Sequence, residues 1–404
     1  MEQTVASQSA LFEAFKRLVD VLASPKLSFI LATGGLLLLL RFRRRVFNWW
    51  IGALVIVIEA GAVIWGMRDP NFHLIVGKPD NVPITAMLFV STLVLWLAMV
   101  QAVNNDRRAG QKLPPDEKES SHQKTWVWPD LLYIEFIALI ICSFVLIFWA
   151  IYLRAPLEQP ANPAATPNPS KAPWYFLGLQ EMLVYYDPWY AGVVLPTIII
   201  VGLMAIPYID LNPKGNGYFT FAERKFSIGI FLFGYLALWV FMIITGTFLR
   251  GPGWNFFGPF EYWDPHKVVA LNNVNLSDYV WVEWFPWIYQ KTHIEWFNQG
   301  LPNVVNKIPQ LIPPEWTSIH LFLIEVGHAC KREFAGILFL AFYFLAMPGL
   351  LAKTVLKRFY ASMDFARYSV LVLLFLTMFT LPLKMVLRWT INLKYFVDTP
   401  WIKF

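Results

Sequence analysis

The sequence predicts an all-α integral membrane protein with seven to eight transmembrane helices and a short surface helix after a Pro-rich loop. Of the 404 residues, 57% are hydrophobic and 15% are charged, whereas soluble domains carry about 25% charged residues. The apolar residues are concentrated in runs close to the length of about 20 residues that crosses a bilayer. Lipid is therefore the expected solvent for most of this chain.

Apolar runs of helical length place the predicted spans along the chain. The clear ones are Trp49–Trp65, Ile84–Val103, Leu131–Tyr152, Val193–Ile209, Phe226–Leu249, Phe334–Leu351 and Tyr368–Val386. The run 27–40 is shorter, because 14 residues make about 21 Å of helix against a hydrocarbon core of about 30 Å. Whether it spans is left open by the sequence. Before it, the apolar residues of 11–22 share one helical face, which predicts a helix lying in the membrane interface.

The stretch 154–190, RAPLEQPANPAATPNPSKAPWYFLGLQEMLVYYDPWY, lies between two of these spans. The prolines of its first half exclude a helix there. Its second half is apolar and aromatic, with Pro173 placed as in the first turn of a helix. We interpret it as a rigid loop leading into a short amphipathic helix that closes a pocket for an apolar ligand. The alternative is an interfacial loop with an aromatic anchor.

Charge gives the orientation of the spans. The segments 41–46, 104–129, 209–226 and 352–367 carry 16 Lys and Arg, against 7 in the segments 67–83, 154–190 and 387–404. The richer set is expected in the cytoplasm, so the Pro-rich stretch is expected on the outer face. The net charge of +6 therefore reflects topology, and we expect no nucleic-acid partner. The two cysteines are too few for a four-thiolate metal site, and no metal site is expected.

Three separated strings point to one family. Trp128-Pro129-Asp130-Leu131-Leu132-Tyr133-Ile134 opens a span, Pro160-Ala161-Asn162-Pro163-Ala164-Ala165-Thr166-Pro167 precedes Trp174-Tyr175-Phe176, and Pro207-Tyr208-Ile209-Asp210 closes the next span. In order and spacing they resemble the C-terminal half of cytochrome b in quinol:cytochrome c oxidoreductases. The chain is most similar to the split form, subunit IV of the plastoquinol-oxidising complex. The resemblance covers roughly residues 126 to 250.

The resemblance divides the chain into three predicted parts. Residues 1–125 hold the amphipathic helix, two or three spans and a cytoplasmic linker, and residues 126–255 form the subunit IV-like domain. Residues 256–404 hold an aromatic-rich external loop and two further spans. The first and third parts look like additions to the family pattern. The aromatic-rich external loop of the third part has two interpretations: an aromatic belt at the membrane interface or a surface that docks a partner.

The resemblance implies a multi-pass subunit of a Rieske/cytochrome b complex in a bacterial inner membrane, without activity alone. The family oxidises a quinol at the outer face and passes its electrons to a Rieske iron–sulfur protein and to haem b, with protons released outside. The implied partners are a haem-bearing N-terminal cytochrome b subunit, the Rieske protein, a c-type cytochrome and lipid. The implied complex is a dimer.

The family roofs its quinol pocket with a Pro-Glu-Trp-Tyr turn, which implies a quinol-binding role for Ala172, Pro173, Trp174 and Tyr175. Here the glutamate is absent, since the chain reads Ala-Pro-Trp-Tyr. Members without it resemble users of low-potential quinols, which favours menaquinol. Quinol oxidation needs a proton acceptor, and Glu181, about two helical turns downstream, is our candidate for that role. The alternative for Glu181 is a solvated interfacial residue.

Asp130 matches an acidic residue that the family carries near its cytoplasmic quinone site. A carboxylate at a helix start is also a common N-terminal cap, so both roles stay open for it.

Haem is expected on another subunit. A haem b bundle needs pairs of histidines within spans, and none of the six histidines falls inside a predicted span. We therefore expect no haem ligated by this chain. Two rival functions are a catalytically silent structural anchor of an electron-transfer complex, favoured by the missing glutamate, and a secondary transporter. The second is disfavoured because transporters usually show repeated halves with polar sites near the midplane.

Overall fold

The computed structural model describes residues 2–121, 124–155, 160–212, 217–287, 326–327 and 329–404, and most of these residues are in helices. The main helices are α1 (Glu2–Leu22), α2 (Pro25–Arg41), α3 (Trp49–Gly66), α4 (Pro70–Val76), α5 (Val82–Gly110), α6 (Val127–Tyr152), α7 (Trp174–Met182), α8 (Tyr190–Ile209), α9 (Lys225–Leu249), α10 (Phe334–Lys353) and α11 (Phe365–Ile391). Shorter helical turns cover Arg43–Val46, Asp116–Ser120, Pro252–Trp254, Leu276–Asp278, Tyr279–Trp284 and Lys357–Ser362.

Seven helices in the described ranges are long and apolar enough to cross a membrane, namely α3, α5, α6, α8, α9, α10 and α11. Each contains a predicted span and exceeds it by at most a few residues at either end, apart from α5, which continues to Gly110. Beyond helices, the described backbone pairs only through isolated bridges such as that between Val274 and Leu393. The prediction of an all-α multi-pass membrane protein is confirmed.

The uncertain eighth span is a bent pair of helices. Ala10–Leu22 and Pro25–Arg41 together have the length and composition of a span, but they meet at an angle of 82°. The bend falls at Pro25, because a residue that precedes proline is disfavoured in the helical conformation. Pro25 then occupies the first turn of α2, where a missing N–H has no cost.

Polar caps start the neighbouring helices at defined residues. The Asn48 side chain accepts a hydrogen bond from Ile51 N at 3.0 Å at the start of α3. The Asp69 carboxylate accepts from Asn71 N at 2.9 Å and Phe72 N at 3.1 Å at the start of α4. These bonds satisfy backbone donors that a helix leaves free at its first turn.

The described chain forms two compact units, which we treat separately. Unit 1 comprises Met1–Gly178 and Pro213–Val269, and unit 2 comprises Leu179–Asn212 and Ala270–Phe404. The three-part division at residues 125 and 255 stays a prediction.

Unit 1 has two apolar clusters along α9. One includes Leu36, Val103 and Leu232, and the other includes Ile84 and Ile243. The N-terminal helices α2 and α5 thus share a core with a helix of the family-like part. Burial of each of these aliphatic side chains contributes about 1.5–3 kcal/mol and stabilises the packing of α2 and α5 on α9 within unit 1.

A polar cluster joins segments that the charge bias places in the cytoplasm. The buried Asn105 donates to Glu117 Oε2 at 2.7 Å and to the Phe219 carbonyl at 2.8 Å. Asp106 Oδ1 accepts from Ala222 N at 3.0 Å. The end of α5, the linker and the segment just before α9 therefore meet on one side of unit 1, in agreement with that topology.

Unit 2 packs its C-terminal segment on α10 and α11. Phe396 stacks on Phe339 with ring centroids 4.6 Å apart, and Phe404 joins the same cluster. Gly336 permits this approach, because a Cβ there would lie 1.8 Å from the Phe396 carbonyl oxygen. Lys384 of α11 is 2% exposed, and its Nζ lies 4.5 Å from the centre of the Tyr186 ring.

Candidate functional site

Unit 1 contains a cleft of about 880 Å³, within the range of about 300–1,000 Å³ that small-molecule sites occupy. Its walls come from four stretches of chain, 71–84, 149–155, 167–177 and 261–263. The first, third and fourth belong to segments that the sequence places on the outer face or in the external loop. They converge although up to about 190 residues separate them in sequence.

The Pro-rich loop supplies the wall that the sequence singled out. Ala172, Pro173 and Trp174 line the cleft, and Tyr175 does not. The first turn of α7 closes with a hydrogen bond of 2.8 Å from Phe176 N to the Pro173 carbonyl. Trp174 is 39% exposed and Tyr175 is 50% exposed, so the indole keeps an open face. The two rings meet edge to face with centroids 5.7 Å apart.

Two glycines fix α7 against α9. A Cβ on Gly178 would lie 3.2 Å from the Trp239 ring, and a Cβ on Gly246 would lie 3.2 Å from the Leu177 carbonyl oxygen. Ordinary carbon contacts are about 3.5–4.0 Å, so both positions are closed to a larger residue without movement. The position of Trp174 therefore depends on close packing one turn further along α7.

The loop before α7 is held at two points. Asn168 Oδ1 accepts a hydrogen bond of 2.7 Å from Gly253 N, and Lys171 Nζ donates to the Thr247 carbonyl at 2.7 Å. Thr247 lies in the last turn of α9, where carbonyls lack helical partners and favour a cation. Lys171 Nζ also lies 4.6 Å from the centre of the Trp263 ring. These contacts join the wall 167–174 to the segment 261–263.

The segment 250–269 is in turn held by the N-terminal helices. Phe260 N donates to Asp20 Oδ1 at 3.0 Å, and the Asn71 side chain donates to the Phe260 carbonyl at 3.2 Å. The Phe260 ring stacks on Phe72 with centroids 5.0 Å apart. The helices α1 and α4 therefore position the fourth wall of the cleft.

The cleft presents charged groups of both signs. Lys78, Asp80, Lys171 and Glu261 line it. Asp80 is paired with Lys78 at 3.3 Å, whereas Glu261 lies 3.9 Å from Lys267. Ammonium groups donate hydrogen bonds and carboxylates accept them. The cleft can therefore orient a flat molecule that carries oxygen atoms and take a proton from it.

A second cavity of about 370 Å³ lies beside the cleft. Ile75 lines both spaces. The second cavity is walled mainly by apolar side chains of α2, α4, α5 and α9, with Leu88, Leu236 and Phe241 among them. The cleft thus combines polar and apolar walls, and the second cavity is almost entirely apolar.

The other predicted site residues lie away from the cleft walls. Glu181 lies about two turns along α7 from Trp174, and it is 1% exposed. Its role as proton acceptor stays a prediction, although it is not the solvated residue of the alternative. Asp130 is exposed at the start of α6, where the described residues show no side-chain cap hydrogen bond. Its quinone role also stays a prediction.

Two of the six histidines fall within the described residues. His73 lies in the short helix α4 and His266 is exposed in the segment after Trp263. The others, His122, His293, His320 and His328, lie outside the described residues. In the described part of the chain, no group of three or more His, Cys, Asp or Glu is arranged to hold a metal ion.

Sequence reasoning missed the stretches 71–84 and 261–263 as parts of the site. The distribution of Lys and Arg indicated part of this site, because it predicted 67–83 on the same side of the membrane as the Pro-rich loop. The individual side chains had no motif to mark them. Only the folded chain brings Glu261 and Trp263 to the Pro-rich wall.

The fold and the cleft define a multi-pass helical membrane protein whose Pro-rich segment walls a ligand-sized space. In a comparison with known proteins, residues 160–249 match the family model described as cytochrome b(C-terminal)/b6/petD. A cytochrome b of Allochromatium vinosum is 34% identical over 92 residues, which are 22% of this chain and 22% of that one. The match thus spans about a fifth of the length of that relative. No solved structure matches the chain. The resemblance to the C-terminal half of cytochrome b is confirmed for this part.

Proposed function

We propose that this chain is an electron-transfer subunit of a quinol:cytochrome c oxidoreductase and that its cleft forms part of the outer quinol oxidation site. The observation that supports this most is the position of Ala172, Pro173 and Trp174. They lie in the segment that matches the cytochrome b family model and wall a space of about 880 Å³. The subunit acts within a Rieske/cytochrome b complex and has no activity alone.

The chemistry of a quinol suits the two adjoining spaces. Its flat ring needs apolar or aromatic surface, which Trp174 and Trp263 offer, and its oxygens need donors and acceptors. Lys171 is already held by the Thr247 carbonyl, so its position is fixed before a ligand arrives. The isoprenoid tail takes the apolar cavity beyond Ile75. Menaquinol is the favoured substrate, because the glutamate of the family turn is absent from Ala172-Pro173-Trp174-Tyr175.

The remaining parts of the reaction belong to partners. One electron passes to a Rieske iron–sulfur protein and on to a c-type cytochrome, and the other passes to haem b on the N-terminal cytochrome b subunit. The protons leave on the outer face, opposite the cluster around Asn105. In this proposal the complex is a dimer and lies in a bacterial inner membrane.

Replacement of Trp174 by alanine tests the proposal in the assembled complex. Loss of one aromatic contact is worth about 0.5–1.5 kcal/mol beyond its buried area, so kcat/KM for a short-tailed naphthoquinol should fall about tenfold. Trp126, which is 77% exposed and does not line the cleft, provides the matched control Trp126→Ala with unchanged turnover. Equal turnover in both variants would favour the structural anchor.

A further inference from the structure

The carboxylates of the cleft come from outside the cytochrome b segment. The lining residues between 167 and 177 include no Asp or Glu, so the Pro-rich wall offers no carboxylate base to the space. Asp80 and Glu261 are the acidic side chains among the described lining residues. Both lie beyond the matched range 160–249. Among the described side chains that line this cleft, a base for quinol oxidation therefore has two candidates.

The surroundings of the two carboxylates separate them. Asp80 lies 3.3 Å from Lys78, two residues away in the same turn. Glu261 lies 3.9 Å from Lys267, at the limit of an ion pair. Lys267 Nζ is itself engaged, because it donates to the Phe256 carbonyl at 2.9 Å and lies 4.2 Å from the centre of the Phe257 ring. The carboxylate of Glu261 is therefore less closely paired with a positive charge than the carboxylate of Asp80 is.

Glu261 also lies on a wall that is joined to the Pro-rich turn. Trp263, two residues further along, packs under Lys171 Nζ at 4.6 Å, and Lys171 directly precedes the Ala172–Trp174 wall. The backbone at Phe260, next to Glu261, is held by Asp20 and Asn71. The Glu261 side chain is 48% exposed, so it contacts both the cleft and solvent.

We infer that Glu261 is the proton acceptor for quinol oxidation in this cleft; this rests on the proposed function. The carboxylate takes the proton of a quinol hydroxyl, and the O–H bond breaks as one electron leaves to a one-electron acceptor of the iron–sulfur class. The second electron leaves to a haem. The protonated Glu261 then releases its proton to water at its exposed edge, and the regenerated carboxylate takes the proton of the second hydroxyl and releases it in the same way.

The test is Glu261→Gln in the assembled complex, with a short-tailed naphthoquinol as substrate. General base catalysis contributes about 10²–10⁴-fold, so kcat should fall at least about 100-fold while KM changes little. The dependence of the remaining rate on pH should lose its acidic limb. Glu261→Asp, which keeps a carboxylate one methylene shorter, should recover part of the rate and the acidic limb.

Asp264→Asn is the matched control. Asp264 lies three residues from Glu261, is exposed and does not line the cleft, and asparagine preserves the oxygen that accepts from His266 N at 2.9 Å. Its rate and pH profile should equal those of the unchanged protein. If Glu261→Gln does not assemble, the pH profile of Glu261→Asp decides, because an unaltered profile and rate would overturn the inference.

The outcomes separate this inference from the proposed function. A normal rate and pH profile in Glu261→Gln, with turnover lost in Trp174→Ala, overturns the role of Glu261 alone. Loss of the acidic limb in Asp80→Asn instead of Glu261→Gln also overturns it and assigns the base to Asp80. Normal turnover in both Trp174→Ala and Glu261→Gln removes the quinol site from this cleft.

Discussion

Gly246 sets how closely α7 approaches α9, and its replacement by alanine tests whether that packing positions the cleft wall. A Cβ there would lie 3.2 Å from the Leu177 carbonyl oxygen and 3.6 Å from its Cβ. The contact with the oxygen is tighter than most Cβ contacts, so α7 has to move away by a few tenths of an ångström. The obstacle is backbone, which cannot rotate aside as a flexible side chain does.

The displacement gives the expected size of the effect. A misplacement of about 1 Å costs about 100-fold in rate, so about a third of that distance predicts about a fivefold loss of quinol oxidation. Overpacking of this kind costs about 1–3 kcal/mol in stability. The two readouts are turnover of a naphthoquinol by the assembled complex and thermal unfolding of the purified protein in detergent.

Gly229→Ala is the matched control within α9. No described atom lies within 4 Å of a Cβ at that position, so the same change of residue adds a methyl group without a collision. Its turnover should be unchanged, and the stability of the protein should rise slightly, because glycine is about 0.5–1 kcal/mol less favourable than alanine in a helix. Wild-type turnover in Gly246→Ala, or an equal loss in Gly229→Ala, would refute the reasoning.

Three further predictions concern unit 2, each measured by thermal unfolding. Gly336→Ala should destabilise it by about 1–3 kcal/mol, because the new Cβ would collide with the Phe396 carbonyl oxygen. Gly349→Ala is the control, since its Cβ has no described atom within 4 Å, and it should leave the stability unchanged. Lys384→Met should stabilise it by about 1 kcal/mol or more. The buried Nζ has no hydrogen-bond acceptor among the described residues, and a methionine side chain needs none. A lower melting temperature of the variant would contradict this. Burial, with a smaller contribution from Arg388, lowers the pKa of Lys394 from 10.5 to about 8. The unfolded chain therefore holds this proton more tightly, stability should rise between about pH 8 and about pH 10.5, and Lys394→Met should lose that part of the rise.

The spans were predictable because the bilayer imposes a length and a composition on each helix. Runs such as Trp49–Trp65 and Phe226–Leu249 satisfy both requirements locally, with no reference to the rest of the fold. The ends were less predictable, since α5 continues to Gly110. Its extra turns are stabilised by contacts of Asn105 with Glu117 and Phe219, which sequence periodicity does not contain.

The sequence by itself determined the membrane class, the helical spans and the Pro-rich turn at Ala172–Trp174. Each of these depends on interactions within a few residues or with lipid. Only the tertiary structure decided which residues complete the cleft, because Lys171 contacts Trp263 and lines the same space as Glu261, although about 90 residues separate the two segments in the sequence. It also showed Glu181 to be buried, which depends on what packs around α7. Distant contacts of this kind arise from the sum of many packing and hydrogen-bond energies, and no local pattern records that sum.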